Sequence, residues 1–245
     1  MNSTEKLGPE PEYIKNLFGE ISGTYDKAND VITMGIARGW RKALVNWSQA
    51  SEGKRVLDCA TGTGDLAIEF KKAVGETGSV VGSDFCQGML DKAPAKAAAA
   101  NAEVTFELGD AMDLDYPDEE FDITSIAYGI RNVADARVAL KEMARVTEDG
   151  GYVMILETGE TETPLLKNFV NLYFKYLVPR LGGLVSGNRS AYEYLQNSSS
   201  QFPSGEDFMT LMKSTGAFSD VQYKKLMGGA SYIYRGTVKT RSGQE

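Results

Sequence analysis

The feature that most restricts this chain is an alternation that begins at Lys54. Short apolar runs read as strands at Arg55-Val56-Leu57-Asp58-Cys59-Ala60, Ser79–Asp84, Val104–Leu108, Phe121–Ala127 and Tyr152–Glu157. Between them, helical patterns run from the Gly64 turn to about Val74, from Met89 to Ala100 and from Asp135 to Val146. Strands spaced by helices of this length need crossover connections, so the spacing predicts an α/β fold with a mostly parallel sheet and helices on both faces. The last of these helices carries apolar residues at Val138, Leu140, Met143 and Val146, and the alanine-rich run Ala93–Ala102 also reads as helix. Ser204-Gly205-Glu206-Asp207 resembles a capping box opening a further helix. Two more strands follow, Val221–Leu226 and Tyr232–Val238, which the Gly228-Gly229 turn between them makes an antiparallel C-terminal hairpin.

At 245 residues this is a single domain with insertions. Residues 1–50 read as an N-terminal helical cap and 51–157 as the cofactor-binding α/β core. Residues 158–203 read as a helical insertion, and 204–245 as the helix and strands that complete the core. An insertion after a strand's C-terminal end sits above the ligand crevice of an open α/β sheet, so 1–50 and 158–203 together are expected to form a lid.

Histidine is absent, which removes imidazole dyads, imidazole metal sites and imidazole bases, and leaves proton chemistry to Asp, Glu, Tyr, Lys, a thiolate or water. Cys59 and Cys86 have no metal-ligand spacing and read as reduced thiols of a cytoplasmic protein; no metal site is expected. A formal charge of −8 argues against nucleic acid as a partner. The Met1–Lys6 start is polar, so no export signal is expected, and no stretch reaches the roughly 18–20 apolar residues of a membrane span. The chain is expected to be soluble, with peripheral membrane contact as the alternative.

Thr61-Gly62-Thr63-Gly64, between a strand and a helix, has the form of a nucleotide site. Gly62 and Gly64 permit close backbone approach to a ligand. Asp84, 20 positions beyond Gly64, ends the next strand, where a carboxylate accepts both ribose hydroxyls. This much fits NAD, FAD or S-adenosylmethionine. Asp58 shifts the balance, because a negative charge at the turn disfavours a pyrophosphate and favours a sulfonium or an ammonium. Gly109-Asp110-Ala111 closes the third strand, with Asp110 placed to accept from an adenine amino group. Asp58 and Asp110 can each also be loop caps; three successive acidic strand ends make S-adenosylmethionine the best ligand.

Val56-Leu57-Asp58-Cys59-Ala60-Thr61-Gly62-Thr63-Gly64-Asp65 resembles the cofactor motif of class I methyltransferases, whose Rossmann-like fold has a seven-stranded sheet. More specifically, the chain resembles the ubiquinone/menaquinone-biosynthesis C-methyltransferases over about residues 13–239. The matching segments are Tyr25-Asp26-x-x-Asn29, Gly35-Ile36-x-x-x-Trp40-Arg41, Tyr128-Gly129-Ile130-Arg131-Asn132-Val133-x-Asp135, and Tyr192-x-Tyr194-Leu195 followed by Phe202-Pro203. The resemblance implies methylation of an aromatic ring carbon on a polyprenylated phenol or hydroquinone, with Thr63, Asp84, Asp110 and Ala111 contacting the cofactor. Three positions depart from the family pattern: Ala127 stands where a serine is common, and Ala37 and Tyr234 stand near positions that often carry histidine.

On this reading Arg131 stabilises the phenolate, directly or through a proton-accepting water, and Asn132 holds the oxygen or that water. The structural alternative pairs Arg131 with Asp135 as a helix cap. Tyr192, Tyr194 and Tyr128 line the ring pocket, Tyr194 with the option of donating to a quinol oxygen; packing explains Tyr192 and Tyr194 almost as well. In Leu165–Val178, helical geometry puts Lys167, Asn168, Asn171 and Lys175 on one polar stripe opposite a wide apolar side. Such a segment lines a prenyl channel, rests on a membrane surface, or packs as a lid helix. The competing functions are methylation of another phenolic or lipid acceptor on oxygen or nitrogen, and a non-catalytic cofactor or quinol carrier. The oligomeric state is open, a homodimer included.

Overall fold

The structure, a computed structural model, describes residues 8–159, 161 and 188–241. Three helices come first: α1 (Pro11–Ile21), α2 (Tyr25–Thr33) and α3 (Ile36–Trp47). The alternating core is β1 (Arg55–Cys59), α4 (Asp65–Val74), β2 (Ser79–Asp84), α5 (Gln87–Leu90), α6 (Ala93–Ala99), β3 (Thr105–Leu108), β4 (Phe121–Ala127), a 3₁₀ turn at Ile130–Asn132, α7 (Ala136–Val146) and β5 (Thr147–Thr158). Then come α8 (Arg189–Gln201), α9 (Glu206–Ser214), β6 (Phe218–Leu226) and β7 (Ser231–Val238).

The seven strands lie in the order β3-β2-β1-β4-β5-β7-β6. β1 to β5 run parallel, and β7 is antiparallel to both β5 and β6, as the hairpin expectation required. Alternation of side chains places Leu57, Cys59, Ile126, Val153 and Ile155 on one face, covered by Leu140 and Met143 of α7 and by Phe208 and Met212 of α9. Val56, Ile123, Met154 and Leu156 face the other way, onto Leu44 and Val45 of α3 and Leu66, Phe70 and Val74 of α4. A side chain like Phe70, fully buried, contributes about 1.5–3 kcal/mol by leaving water. α3 therefore belongs to the core layer. α1 and α2 pack instead with α8, through Leu17, Ile21, Ala28, Ile32, Ala191 and Tyr192.

Several local expectations change. Met89–Ala100 is not one helix: α5 ends at Leu90, a turn intervenes, and α6 starts with Pro94 in its first turn, where a missing N–H costs nothing. The alanine-rich helix stops at Ala99, and Asn101 turns the chain with φ +51°. In α7 the buried stripe is Ala136, Ala139, Leu140, Met143 and Val146, whereas Val138 is 41% exposed. Val138 sits two residues before Leu140, so at 100° per residue it points to the opposite side. Ser204 does not cap α9 with its side chain; Gly205 is the N-cap, and the Ser204 carbonyl accepts from the Asp207 N–H. The 165–178 segment lies outside the described residues. Among the described residues no helix is long and apolar enough to cross a membrane.

The chain builds outward from β1 through β2 to β3, then crosses back to lay β4 on the other side of β1, so the strand order reverses at β1. A crevice opens above the carboxyl ends of strands at such a switch point, and that is where the candidate residues meet.

Candidate active site

The β1–α4 turn makes one wall. Ala60, Gly62 and Gly64 all have positive φ (+47°, +60° and +85°), which folds the chain back sharply and aims backbone at the crevice. At Gly64 a Cβ would lie 2.8 Å from the Phe106 ring, so both conformation and space call for glycine. Asp84 fastens the turn: one carboxylate oxygen accepts from the Gly62 N–H (2.8 Å) and the other from the Cys86 N–H (2.8 Å). Asp58 accepts from Thr61 Oγ1 and Ser125 Oγ, each at 2.7 Å. Burial pushes the Asp58 carboxyl up to about 7, and the nearby Asp84 charge adds to the rise. Burial also raises Asp84, against the pull of its two backbone N–H groups. Among the described residues neither carboxylate has a Lys or Arg partner. Two buried, uncompensated carboxylates beside a glycine cradle fit a cationic nucleoside and would repel a pyrophosphate.

The opposite wall follows β4. Tyr128 (φ +57°) ends the strand with its N–H on the Leu156 carbonyl (2.7 Å), and the 3₁₀ turn that follows buries Arg131 and Asn132. Arg131 forms an ion pair with Glu157, at the end of β5, with the side chains 7% and 1% exposed. This corrects the Arg131–Asp135 alternative: Asp135 caps α7 by accepting from the Arg137 N–H (2.8 Å) and leaves Arg131 to the crevice. Asn132 donates to the Tyr128 carbonyl (3.3 Å) and accepts from the Tyr194 hydroxyl (3.2 Å). α8 thus braces this wall, a second time through Ser199 Oγ on Thr158 Oγ1 (2.7 Å).

Between the walls lie two cavities of about 470 and 70 Å³ that share Tyr25, Ala60, Gly62, Ala127 and Tyr128 as lining. Asp58, Thr61, Thr63, Arg131 and Tyr192 line the larger. Asp84, Asp110, Ala111 and Asn132 line the smaller. Asp110 both lines its cavity and caps its own turn, accepting from the Met112 N–H (2.9 Å). Gly64 lines neither cavity and turns the chain as the N-cap of α4, and Tyr194 reaches the site through Asn132. The Thr63 hydroxyl donates to Asp26 (2.6 Å), and Lys96 reaches Asp26, Thr63 and Asp65 (2.6, 3.0 and 2.6 Å), tying α2 and α6 to the turn. Of the two positions noted above as departing from a family pattern with histidine nearby, Ala37 lines the larger cavity. Tyr234 is in the core, where its hydroxyl accepts from the Gly205 N–H (2.7 Å). Ala127 presents only a methyl group at the junction of the cavities.

Sequence reasoning missed Glu157, Tyr25, Asn29 and Arg41 as site residues. Glu157 had a signal, as a charge closing an apolar parallel strand at the ligand end of the sheet. The other three lie inside the two N-terminal segments already noted, and only the packing of α2 and α3 brings them to the crevice.

Comparisons with known proteins agree with this geometry. Residues 6–238 match the model of the ubiE/COQ5 methyltransferase family. A ubiquinone/menaquinone biosynthesis C-methyltransferase UbiE of Bdellovibrio bacteriovorus is 54% identical, covering 94% of this chain and 98% of the relative. A demethylmenaquinone methyltransferase of Deinococcus radiodurans is 41% identical, covering 91% of each. Among solved structures, a SAM-dependent methyltransferase from Thermotoga maritima superposes with a TM-score of 0.65 at 19% identity, covering 91% of this chain and 98% of that one. The [4+2]-cyclase SpnF also reaches 0.65, at 13% identity over 97% and 100% of the two chains, so the shared fold does not by itself specify the reaction. Sequence and fold together place this chain in the ubiE/COQ5 methyltransferase family.

Proposed function

We infer that this protein transfers the methyl group of S-adenosylmethionine to a ring carbon of a polyprenylated quinol of the demethylmenaquinol type, in menaquinone or ubiquinone synthesis. The observation that carries this reading is the joining of two unlike walls across one crevice: buried carboxylates suited to a cation on one side, and a buried arginine beside an apolar cavity on the other. The names of the relatives specify the same chemistry.

S-adenosylmethionine, when bound, supplies a methyl group on a positively charged sulfur. Gly62 and Gly64 would let it approach the backbone of the turn, Asp84 would accept from the ribose hydroxyls, Asp110 and Ala111 would contact the base, and Asp58 with Thr61 and Thr63 would support the turn. The ring carbon becomes nucleophilic as the neighbouring hydroxyl loses its proton. Arg131 stabilises that oxygen as negative charge builds, directly or through a water that accepts the proton, and Asn132 orients the oxygen or the water. Tyr194 fixes Asn132. Tyr128 and Tyr192 wall the ring and keep water out, which strengthens every charge interaction in the crevice. Overall, a carbon–carbon bond would form as the methyl–sulfur bond breaks to leave a neutral thioether; the ring carbon would lose its hydrogen as a proton and the oxygen regain one, so that one proton is released in all. The exposed methionines at the rim of the larger cavity, Met34 and Met227, mark where the prenyl tail leaves, and peripheral membrane contact belongs to the same reading.

The test pairs calorimetry with product analysis. Wild type is expected to bind S-adenosylmethionine and to give a quinol heavier by one methylene from short-chain demethylmenaquinol under reducing conditions. Asp84→Ala is expected to bind the cofactor roughly 10- to 100-fold more weakly, from the loss of a charged acceptor. Failure of wild type to bind the cofactor would overturn the reading and favour a carrier.

A further inference from the structure

We propose that Glu157 is a positioning residue for the methyl-acceptor side of this crevice: it holds the Arg131 guanidinium by one nitrogen, so that the side of the group that lines the larger cavity is set to meet the acceptor's oxygen. This rests on the function proposed above. Three observations point to it. First, the pair is buried, Glu157 almost completely, and Arg131 lines the larger cavity while Glu157 stands behind it. Second, the pairing is single. Arg131 Nη1 donates to Glu157 Oε1, whereas Arg131 Nε and Glu157 Oε2 are buried and have no hydrogen-bond partner among the described residues. Buried arginine–carboxylate pairs frequently engage as a two-point fork, and their burial is offset best when the remaining groups are hydrogen-bonded. An ion pair left half-made in the interior needs a reason.

Third, the carboxylate is itself fixed. Glu157 Oε1 also accepts from the Thr158 N–H (2.7 Å) and the Thr158 hydroxyl (3.1 Å), and Thr158 Oγ1 accepts from Ser199 of α8. Oε1 is thus held from three directions, by Arg131 and by the Thr158 N–H and hydroxyl. An arginine without this tether samples many rotamers, and catalysis by charge stabilisation depends on a donor held in place before the charge develops. Glu157 thus sets where the positive charge of Arg131 stands, without touching the reacting atoms.

Two variants test this, assayed with S-adenosylmethionine and a short-chain demethylmenaquinol beside wild type and Arg131→Lys. Glu157→Asp keeps the charge pair, and so the fold, but draws the carboxylate back by one methylene. Glu157→Gln keeps the shape and removes the charge. Glu157→Asp is expected to lower kcat at least tenfold with KM for the cofactor within twofold, and Glu157→Gln to lower it further. In the double variant Arg131→Lys/Glu157→Asp, the loss should be smaller than the product of the two single losses, since Glu157 acts through Arg131. A wild-type kcat in Glu157→Asp would overturn the proposal. So would losses that multiply in the double variant, or a fall in cofactor affinity as large as the fall in kcat, which would make Glu157 a support of the whole crevice. If wild type binds cofactor yet methylates no quinol, the proposed function fails and this inference fails with it; if wild type is active and Glu157→Asp matches it, only this inference fails.

Discussion

The two walls of the crevice are built differently. The β1–β2 wall is made of backbone: a turn with three left-handed residues, fastened by Asp84 to the Gly62 and Cys86 N–H groups and closed by Gly64 against Phe106. The β4–β5 wall is made of side chains that come from distant parts of the chain: Arg131 against Glu157, Asn132 against Tyr194, Thr158 against Ser199. The first wall joins a backbone cradle to two buried carboxylates, Asp58 and Asp84, and so presents both an outline and a negative charge. The second places one positive charge at one point.

This contrast is open to attack at its strongest point first. Replacing Arg131 by Lys keeps a positive charge opposite Glu157 but loses the planar fork, so the buried carboxylate is not stranded. By analogy with the loss of one fixed donor to a developing oxyanion, kcat is expected to fall roughly 100- to 1,000-fold. Calorimetry should show the cofactor affinity unchanged within about twofold, because the β1–β2 wall is untouched; a parallel loss of cofactor binding would mean that the walls do not act separately.

A smaller effect belongs to Asp58. Its carboxyl is held near 7 by burial, above the value of an unfolded chain, so the folded state binds the extra proton and is stabilised at low pH. That stability is complete below about pH 4, the unfolded value, and is lost as pH rises through 7. The ligand-free protein should therefore melt at a lower temperature at pH 8 than at pH 6, with the difference diminished in Asp58→Asn. Binding of cationic S-adenosylmethionine favours the ionised carboxylate, so affinity should rise several-fold over the same interval, with proton release measurable by calorimetry in buffers of different ionisation enthalpy. A flat profile would separate Asp58 from the cofactor.

The smallest change is Tyr194→Phe, which deletes the 3.2 Å bond to Asn132 and nothing else on the β4–β5 wall. A loss of about 1 kcal/mol, a few-fold in kcat, is expected from a neutral hydrogen bond. A much larger loss would give Tyr194 direct contact with the acceptor.

The same contrast explains what the sequence made legible. Strand positions, the C-terminal hairpin and the β1–β2 wall rest on local signals: alternation within strands, glycines at fixed offsets, and acidic residues closing successive strands. Phe121–Ala127 and Ser79–Asp84 emerged with their observed limits. Where a signal was ambiguous, tertiary geometry decided. The helix read over Met89–Ala100 breaks at Asp91-Lys92, and Val138, apolar but on the wrong side of α7, goes to the surface. The other wall depends on pairing across the sheet. Arg131 was visible as a residue, but nothing nearer than Asp135 offered it a partner in sequence, and the true partner lies 26 residues away on the adjacent strand. Tyr194 was visible too, but its action through Asn132 spans 62 residues.

The central claim, that this crevice directs a methyl group to carbon, is tested most directly with S-adenosylmethionine labelled with ¹³C at its methyl group. The label is followed by NMR in the product from a short-chain demethylmenaquinol. The account predicts a single labelled methyl bonded to a ring carbon. A label on a quinol oxygen, or none in the quinol while the cofactor is bound, would contradict it.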